Sequence, residues 1–306
     1  MSEHPIANLS SDVTIAVAAH GNSRATEACL QAILNSAQGD YELILIDDYS
    51  ADENATLNTF IEARDLHLNT KIFQSSVVNL EYSGSVNAIL SHAAGNYIFF
   101  ISNDILVTPY YFSALLEAAE ASRKIGIIRG SSNFVDNGLE THNLKSINAI
   151  ESLENLFDTG RDVYSLFGSL KVPDEYLTGD AFMTTRPLLD AIGTYDQLFY
   201  GYFADTDYGL RAQIAGFETI LLPRAFAYHM ADTNFNYLDQ EQREEKLRRR
   251  WFRVIENWAR FKIKYHLPVE MDYTNINAIP WEKLRQENFD QSRHYSPPGN
   301  YSMYQI

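Results

Sequence analysis

The sequence predicts an α/β fold with a mostly parallel central sheet flanked by helices. Short apolar runs alternate with amphipathic stretches through the first half of the 306 residues, a pattern typical of βαβ units. Apolar residues make up 45% of the chain and charged residues 21%, which is an ordinary globular composition. Since α/β units of roughly 200–250 residues are common, we expect one main domain over residues 12–230.

The elements of the first half follow from apolar periodicity. Val13–Ala18 is apolar almost throughout and predicts a buried strand, and the apolar spacing of Ser23–Ser36 predicts a helix. The elements predicted next, in order, are strand Tyr41–Asp47, helix Glu53–Ala63, strand Lys71–Val78, helix Ser85–Ala94, strand Tyr97–Ser102, helix Pro109–Ser122 and strand Ile125–Arg129.

The alternation is interrupted after Ser131. Residues 131–174 are polar and irregular and are interpreted as an insertion or acceptor-side region with a helix near Ile150–Phe157. The later predictions are helix Arg186–Ala191, helix Asp205–Ala215 ended by Gly216, strands Thr219–Leu222 and Phe226–His229, and a basic helix over Gln240–Tyr265. Residues 1–11 are expected to be loose. Residues 231–306 are expected to form a helical extension whose tail after Pro268 is loop-like.

Charge and composition exclude several classes of function. A formal net charge of -16 argues against nucleic acid as a partner, because phosphate binding needs a basic surface. Cys29 is the only cysteine, which rules out an intrachain disulfide. No apolar run reaches the ~20 residues of a spanning helix, and Met1–Asp12 lacks the features of a signal peptide. We therefore expect a soluble, cytoplasmic protein, with any membrane association being peripheral.

Polar residues follow three of the predicted strands. They are Ala19–Asn22, Asp47–Ser50 and the pair Asn103 and Asp104, and ligands of open α/β sheets bind at this carboxyl edge. Helix capping accounts for one or two of them, but not for the paired acids. The glycine fingerprints of a dinucleotide fold and of a P-loop are both absent, so hydride transfer and ATP hydrolysis are not supported.

Four segments resemble the family 2 glycosyltransferases, whose catalytic domain has the GT-A fold. They are VTIAVAAHGN, ELILIDDYSAD, YIFFISNDILVTP, and LTGDAFMTTRPLLDAIGTYDQLFYGYFADTDYGLRAQIAGFE followed by FAYH. The resemblance implies single-displacement, inverting transfer of a sugar from a nucleotide-sugar donor to a saccharide or glycolipid acceptor. It also implies a Mn²⁺ or Mg²⁺ cofactor and a place in surface polysaccharide or glycoconjugate assembly. An acid near the nucleobase favours a UDP- or dTDP-sugar as that donor.

The resemblance also assigns roles to residues. Asp205 is expected to be the general base, Asp104 to hold the cation on the donor diphosphate, and His229 to be a further metal or phosphate contact. The nucleotide-sugar pocket is expected to comprise Ala18, His20, Asp47, Asp48, Asn103 and Asp104, with Asp48 at the nucleobase. The loop bordering donor sugar and acceptor is expected to comprise Gly179, Asp180 and Asp207. A hydroxyl nucleophile needs a carboxylate to take its proton, and a leaving diphosphate needs a hard cation.

Two departures from the family pattern keep an alternative open. Ser102 replaces an acid or amide of the metal motif, and Ala204 replaces a glutamate before the base. Both favour a catalytically degenerate module that binds nucleotide or sugar. Asp205 also fits a helix N-cap, and Arg211 is expected to pair with Asp207. A sugar-phosphate nucleotidylyltransferase ranks last, because a single glycine and arginine follow the first strand, with no lysine.

The segment Arg243–Lys264 predicts a basic amphipathic helix. Leu247, Trp251, Ile255 and Trp258 fall on one face of it, which favours packing on the catalytic domain. The alternative is a helix lying on a membrane surface, which would bring the enzyme to a lipid-linked acceptor.

Overall fold

A computed structural model of the protein describes residues 5–75, 77–135, 144–147, 149–174, 177–230, 239–299, 301 and 303–306. The strands are β1 (Ala7–Leu9), β2 (Val13–Ala19), β3 (Ala37–Gly39), β4 (Glu42–Asp48), β5 (Thr70–Ser75), β6 (Tyr97–Ser102), β7 (Ile105–Val107), β8 (Ile125–Ser132), β9 (Val172–Pro173), β10 (Ala181–Thr185), β11 (Glu218–His229) and β12 (Met303–Gln305). The helices are α1 (Ser23–Ser36), α2 (Ala55–Leu66), α3 (Glu81–His92), α4 (Pro109–Ala121), α5 (Leu153–Phe167), α6 (Arg186–Ile192), α7 (Ala204–Ile214), α8 (Gln240–Lys264), α9 (Trp281–Arg285) and α10 (Gln291–His294).

A ten-stranded sheet forms the centre of the protein, in the order β12-β5-β4-β2-β6-β10-β8-β11-β7, with β9 beside β11. Strands β5, β4, β2, β6, β8 and β11 run in one direction, and the others in this sheet run against them. The α/β class with a mostly parallel sheet flanked by helices is therefore confirmed. Most of the antiparallel strands, namely β10, β7 and β9, lie beside β8 or β11.

The core has two layers, one on each face of the sheet. Successive side chains of a strand point to opposite faces, so Ile15 and Val17 pack with α1, α2 and α4, while Ala16 packs with α3, α6, α7 and α8. Both faces are covered by helices, which is why these strands are almost entirely apolar.

Several expectations are corrected outside the central elements. The N-terminal segment is not loose over residues 5–11, because β1 pairs in parallel with β3 and buries Ala7 and Leu9. The two strands predicted after Gly216 form the single strand β11, irregular between Leu222 and Phe226. The helix in the interrupted region, α5, is capped at its start by Ser152 and runs ten residues beyond the predicted end, through Gly160, to stop before Gly168.

The segment after Pro268 is not loop-like. It contains a 3-10 turn at Tyr273–Ala278, the short helices α9 and α10, and β12, which extends the sheet beside β5. The pairing of β12 with β5 joins segments far apart along the chain and produces no local apolar periodicity, so the sequence pattern did not indicate this strand. Among the described residues, none of the helices combines the length and apolarity that a membrane crossing requires.

Candidate active site

The carboxyl ends of three neighbouring parallel strands meet at one edge of the sheet. The register places Ala19 of β2 beside Asp47 of β4, and Ala18 beside Ser102 of β6. The polar residues that follow these strands therefore lie together, as parallel neighbours require.

Asp47 and Asp48 are both buried, with 1% and 3% of their surface exposed. The Asp47 carboxylate accepts hydrogen bonds from the backbone N–H of Ser50 (3.0 Å) and from Gln74 (2.8 Å). The Asp48 carboxylate accepts from the backbone N–H of Leu80 (2.6 Å) and from Ser85 (3.0 Å). Burial raises the pKa of Asp48, and these hydrogen bonds partly offset that rise. The first acid thus fixes the turn after β4, while the second joins it to the start of α3.

The loop after β2 is bound to the same turn. His20 contacts the carbonyl oxygen of Asp48 through Nδ1 at 2.7 Å, and the backbone N–H of Gly21 donates to the Ser50 hydroxyl at 2.7 Å. The Asn103 amide donates to the hydroxyl of Thr26 at 2.9 Å. Asn103 therefore joins the end of β6 to the start of α1, beside the loop that carries His20.

Asp104 and His229 face each other across an antiparallel pair of strands. β7 pairs with the end of β11, with Ile105 opposite His229, and this places His229 Nε2 3.5 Å from Asp104 Oδ2. Burial lowers the pKa of His229, but hydrogen bonding and charge from Asp104 outweigh it, and the pKa rises to about 9. The imidazole also contacts the Phe134 carbonyl oxygen through Nδ1 at 3.2 Å.

An oxygen and a nitrogen ligand at this separation fit one side of a divalent cation. Neighbouring ligands of an octahedral ion lie roughly 3 Å apart when its bonds are about 2.1 Å. Within the described ranges no group of three His, Cys, Asp or Glu side chains could hold a metal ion. The pair would therefore need oxygen ligands from a substrate or from water to complete such a site.

A three-residue segment, Thr178–Asp180, is held from several sides, and we call it the Gly179 loop. Buried Arg129 of β8 donates to the Thr178 carbonyl oxygen at 2.8 Å and to the Asp180 carboxylate at 2.9 Å. The Tyr82 hydroxyl donates to the Gly179 carbonyl oxygen at 2.9 Å. A methyl group at position 179 would lie 1.7 Å from that hydroxyl oxygen, so only glycine fits here.

Asp205 lies at the start of α7 and is bound to the Gly179 loop. Its carboxylate accepts from the backbone N–H of Gly179 at 2.9 Å and of Thr206 at 2.8 Å. Burial raises the pKa of Asp205 to about 6, against hydrogen bonds that lower it, and the charge of Asp180 adds to the rise. Asp180 also contributes to the raised pKa of His229. The charge of Asp180 therefore acts both on the general-base candidate and on the Asp104–His229 pair.

The N-cap interpretation of Asp205 does not hold. Helix α7 begins at Ala204, and its N-cap position is Phe203, whose backbone is left-handed with φ 66°. Ala204 is fully buried in the core, so a glutamate at this position would place a carboxylate among apolar side chains.

Asp207 is not brought together with the other site residues, which corrects its expected place in the sugar loop. It is fully buried, and its carboxylate accepts from Arg211 (2.8 Å), Lys264 (2.5 Å) and the Tyr265 hydroxyl (2.7 Å). The predicted ion pair with Arg211 is confirmed. The further partners come from α8 and the residue after it, so Asp207 fixes α8 to α7.

The sequence patterns missed two residues that hold the site. Arg129 ends the apolar run Ile125–Arg129 and lies inside β8, and a charged residue in a buried strand is unusual enough to be a signal. Tyr82 gave no comparable signal. Arg253 of α8 also reaches the site, through a 2.5 Å ion pair with Glu81 at the start of α3.

The comparisons with known proteins identify the fold and the family of this chain. The mannosyltransferase PcManGT from Pyrobaculum calidifontis, in complex with GDP-Man and Mn²⁺, has a TM-score of 0.55 and 14% identity, over 82% of this chain and 64% of its own length. S. aureus TarS 1-349 in complex with UDP-GlcNAc has a TM-score of 0.53 and 14% identity, over 80% of this chain and 66% of its own. No curated protein sequence matches this chain.

At these identities the similar structures show the fold, which is that of the GT-A glycosyltransferases. The sequence profile described as glycosyl transferase family 2 matches residues 14–174. That match covers more than half of the 306 residues, and the protein therefore belongs to glycosyl transferase family 2.

Proposed function

We propose that this protein transfers a sugar from a nucleotide-diphosphate donor to a hydroxyl group of a saccharide or glycolipid acceptor, with inversion at the sugar carbon. The observation that carries the proposal is the position of Asp205. Its carboxylate has a pKa of about 6 and is fixed to the Gly179 loop, whose Asp180 also acts on His229.

The donor would bind along the carboxyl edge of the sheet. Asp48, with Asp47, His20 and the backbone of Ala18, would surround the nucleobase. An acid beside the base suits the N–H donor of uracil or thymine, so we propose a UDP- or dTDP-sugar. The similar structures contain GDP-Man and UDP-GlcNAc, which supports nucleotide sugars as the donor class.

Asp104 and His229 would hold a Mn²⁺ or Mg²⁺ ion together with the donor diphosphate, and the His229 imidazole would give up its proton to become a ligand. When bound, the cation neutralises the charge that develops on the leaving phosphate oxygens. The Mn²⁺ in the PcManGT complex supports a divalent cation here. The pairing of β7 with β11 sets the separation of the two side chains, so both would be available to one cation.

Asp205 would take the proton of the attacking acceptor hydroxyl. A carboxylate with a pKa of about 6 is ionised at neutral pH and is a stronger base than an ordinary aspartate. Attack from the face opposite the leaving diphosphate inverts the configuration in one displacement. Assembly of surface polysaccharide or another glycoconjugate is the proposed setting.

A donor panel tests this function. UDP-, dTDP- and GDP-sugars would be incubated with mixed acceptors and with Mn²⁺, Mg²⁺ or chelator, and nucleoside diphosphate release would be measured. We expect metal-dependent turnover of one donor, lost in Asp104→Asn and retained in Asp190→Asn, a control at an exposed aspartate of α6. Binding of a donor with no turnover under any condition would instead identify a degenerate binding module, which Ser102 and Ala204 favour.

A further inference from the structure

Residues 240–255 of α8, which we call its exposed half, carry an apolar stripe that the described residues leave largely uncovered, although the Tyr273 ring contacts Trp251. Of the four apolar residues on the predicted face, Trp258 is 4% exposed, whereas Leu247, Trp251 and Ile255 are 45%, 53% and 54% exposed. Phe252 is exposed beside them. The predicted packing of this face is therefore confirmed at Trp258 and not at the three apolar residues before it.

The exposed half is nevertheless a well-anchored helix. Asp239 and Gln242 form a capping box at its start. At the other end, Trp258 and Phe261 lie in the core, and Lys264 pairs with Asp196 at 2.7 Å. The apolar stripe thus lies on the exposed side of a regular helix whose C-terminal end is packed in the core.

The same half is strongly basic in an acidic protein. Residues 243–253 contain six of the chain's 24 lysines and arginines and two of its 40 acids, and the whole chain has a net charge of -16. The Arg248 and Arg249 side chains are each about two-thirds exposed or more, at 68% and 70%. They share Glu245 as a surface partner, and exposed ion pairs of this kind are weak.

We propose that this half of α8 docks on a bilayer surface that contains anionic lipid. A helix with tryptophan and other apolar residues on one side and arginine around them binds such an interface by apolar burial and by charge together. A second copy of the chain is a poorer occupant, because a twofold contact would bring two basic helices against each other. Docking of α8 on a bilayer does not require the proposed sugar chemistry.

Helix α8 lies next to the candidate active site. Arg253 contacts Glu81 at the start of α3, and the charge of Asp104 acts on Lys246. The docked helix would therefore lie beside the crevice. If the proposed function holds, a lipid-linked acceptor in that surface would reach Asp205 without leaving the membrane.

Vesicle sedimentation tests the proposal with the full-length protein and no donor. We expect binding to phosphatidylcholine vesicles that contain phosphatidylglycerol, little binding to phosphatidylcholine alone, and weakening by added salt. The double variant Trp251→Ser/Phe252→Ser should lower the partition coefficient by about tenfold or more, since binding scales with buried apolar area. Arg248→Gln/Arg249→Gln should lower it on anionic vesicles and reduce its salt dependence.

Matched controls alter equivalent groups elsewhere. Leu68→Ser removes an apolar residue that is 89% exposed after α2, and Arg161→Gln removes an exposed arginine of α5. Both should bind as the wild type does, and so should Asp205→Asn, which separates docking from transfer. Absence of vesicle binding, or an equal loss in the Leu68 variant, would overturn the proposal. So would sedimentation equilibrium showing a dimer that Trp251→Ser/Phe252→Ser dissociates.

Discussion

The backbone N–H of Gly179 donates a 2.9 Å hydrogen bond to the Oδ2 atom of Asp205. This bond joins the start of α7 to a loop that Arg129 and Tyr82 hold from β8 and α3. Because the bond is to the carboxylate itself, the position of the general-base candidate depends on the conformation of that loop. Changes in the loop should therefore affect turnover more than nucleotide binding.

The pKa of Asp205 predicts an acid limit on activity. A base must be ionised, so kcat/KM should be constant well above pH 6 and fall tenfold per pH unit below it, as protonation removes the base. In Asp180→Asn the limit should move to lower pH, because the charge of Asp180 contributes to the raised pKa of Asp205. A pH profile of kcat/KM for both proteins measures this, and an identical limit in the two would contradict the electrostatic link.

Gly179→Ala should disrupt the site by a steric clash. The new methyl group would lie 1.7 Å from the Tyr82 hydroxyl oxygen and 2.8 Å from the ring carbon that bears it. We expect a fall in kcat of a hundredfold or so with donor affinity little changed, since a misplacement of about 1 Å has that effect. Steady-state kinetics with nucleotide titration separate the two quantities.

The double variant Gly179→Ala/Tyr82→Phe tests that explanation. Removal of the hydroxyl relieves the worst contact and should recover part of the lost kcat, although Tyr82→Phe alone gives up a hydrogen bond to the loop. Effects that simply add would show that the clash is not the cause.

Arg129→Lys should impair positioning while preserving charge. Lysine cannot reproduce the planar fork that binds both the Thr178 carbonyl oxygen and the Asp180 carboxylate. We expect kcat to fall at least tenfold, KM for the donor to stay within about twofold, and the acid limit set by Asp205 to shift. A loss of thermal stability with an unchanged pH profile and kcat would assign Arg129 a structural role only.

Asp207→Ala should destabilise the protein by about 3–5 kcal/mol, because Arg211 and Lys264 would remain buried without their carboxylate. Burial raises the pKa of Asp207, but those two cations outweigh it and the pKa lies below its usual 3.8. Its contribution to stability is therefore present above pH 3.8 and lost as the pH falls through the lower folded-state pKa. Urea unfolding from pH 7 to acid should show a difference between wild type and variant that shrinks on acidification. A constant difference would contradict this assignment.

Apolar periodicity predicted the parallel half of the sheet well, because both faces are covered and each strand reads as an apolar run. The start of α1 and the whole of β6 were predicted to the residue. β12 was not predicted, since its partner β5 lies far away along the chain and contributes no local pattern. β7 was missed for the same reason, although it places Asp104 beside His229.

The site residues were predicted from strand ends and from family resemblance, but apart from the pair of Asp207 with Arg211 their partners were not. A first-turn acid such as Asp207 is explained equally well by the helix dipole, and its partner Lys264 is 57 residues away. Arg129 and Asp180 are 51 residues apart, so no spacing rule joins them. In each case the partner is brought close by the tertiary fold, and a local sequence pattern does not show whether a polar residue faces a crevice or the core.

The most direct test of the central claim is transfer by wild type and Asp205→Asn on the donor that the panel identifies, with donor affinity measured in parallel. We predict that Asp205→Asn binds the donor with about the wild-type affinity and transfers at least a hundredfold more slowly, as loss of a general base requires. Asp190→Asn should match the wild type in both measurements. Transfer by Asp205→Asn at the wild-type rate would contradict the account, since the proton of the acceptor hydroxyl would then go to another group.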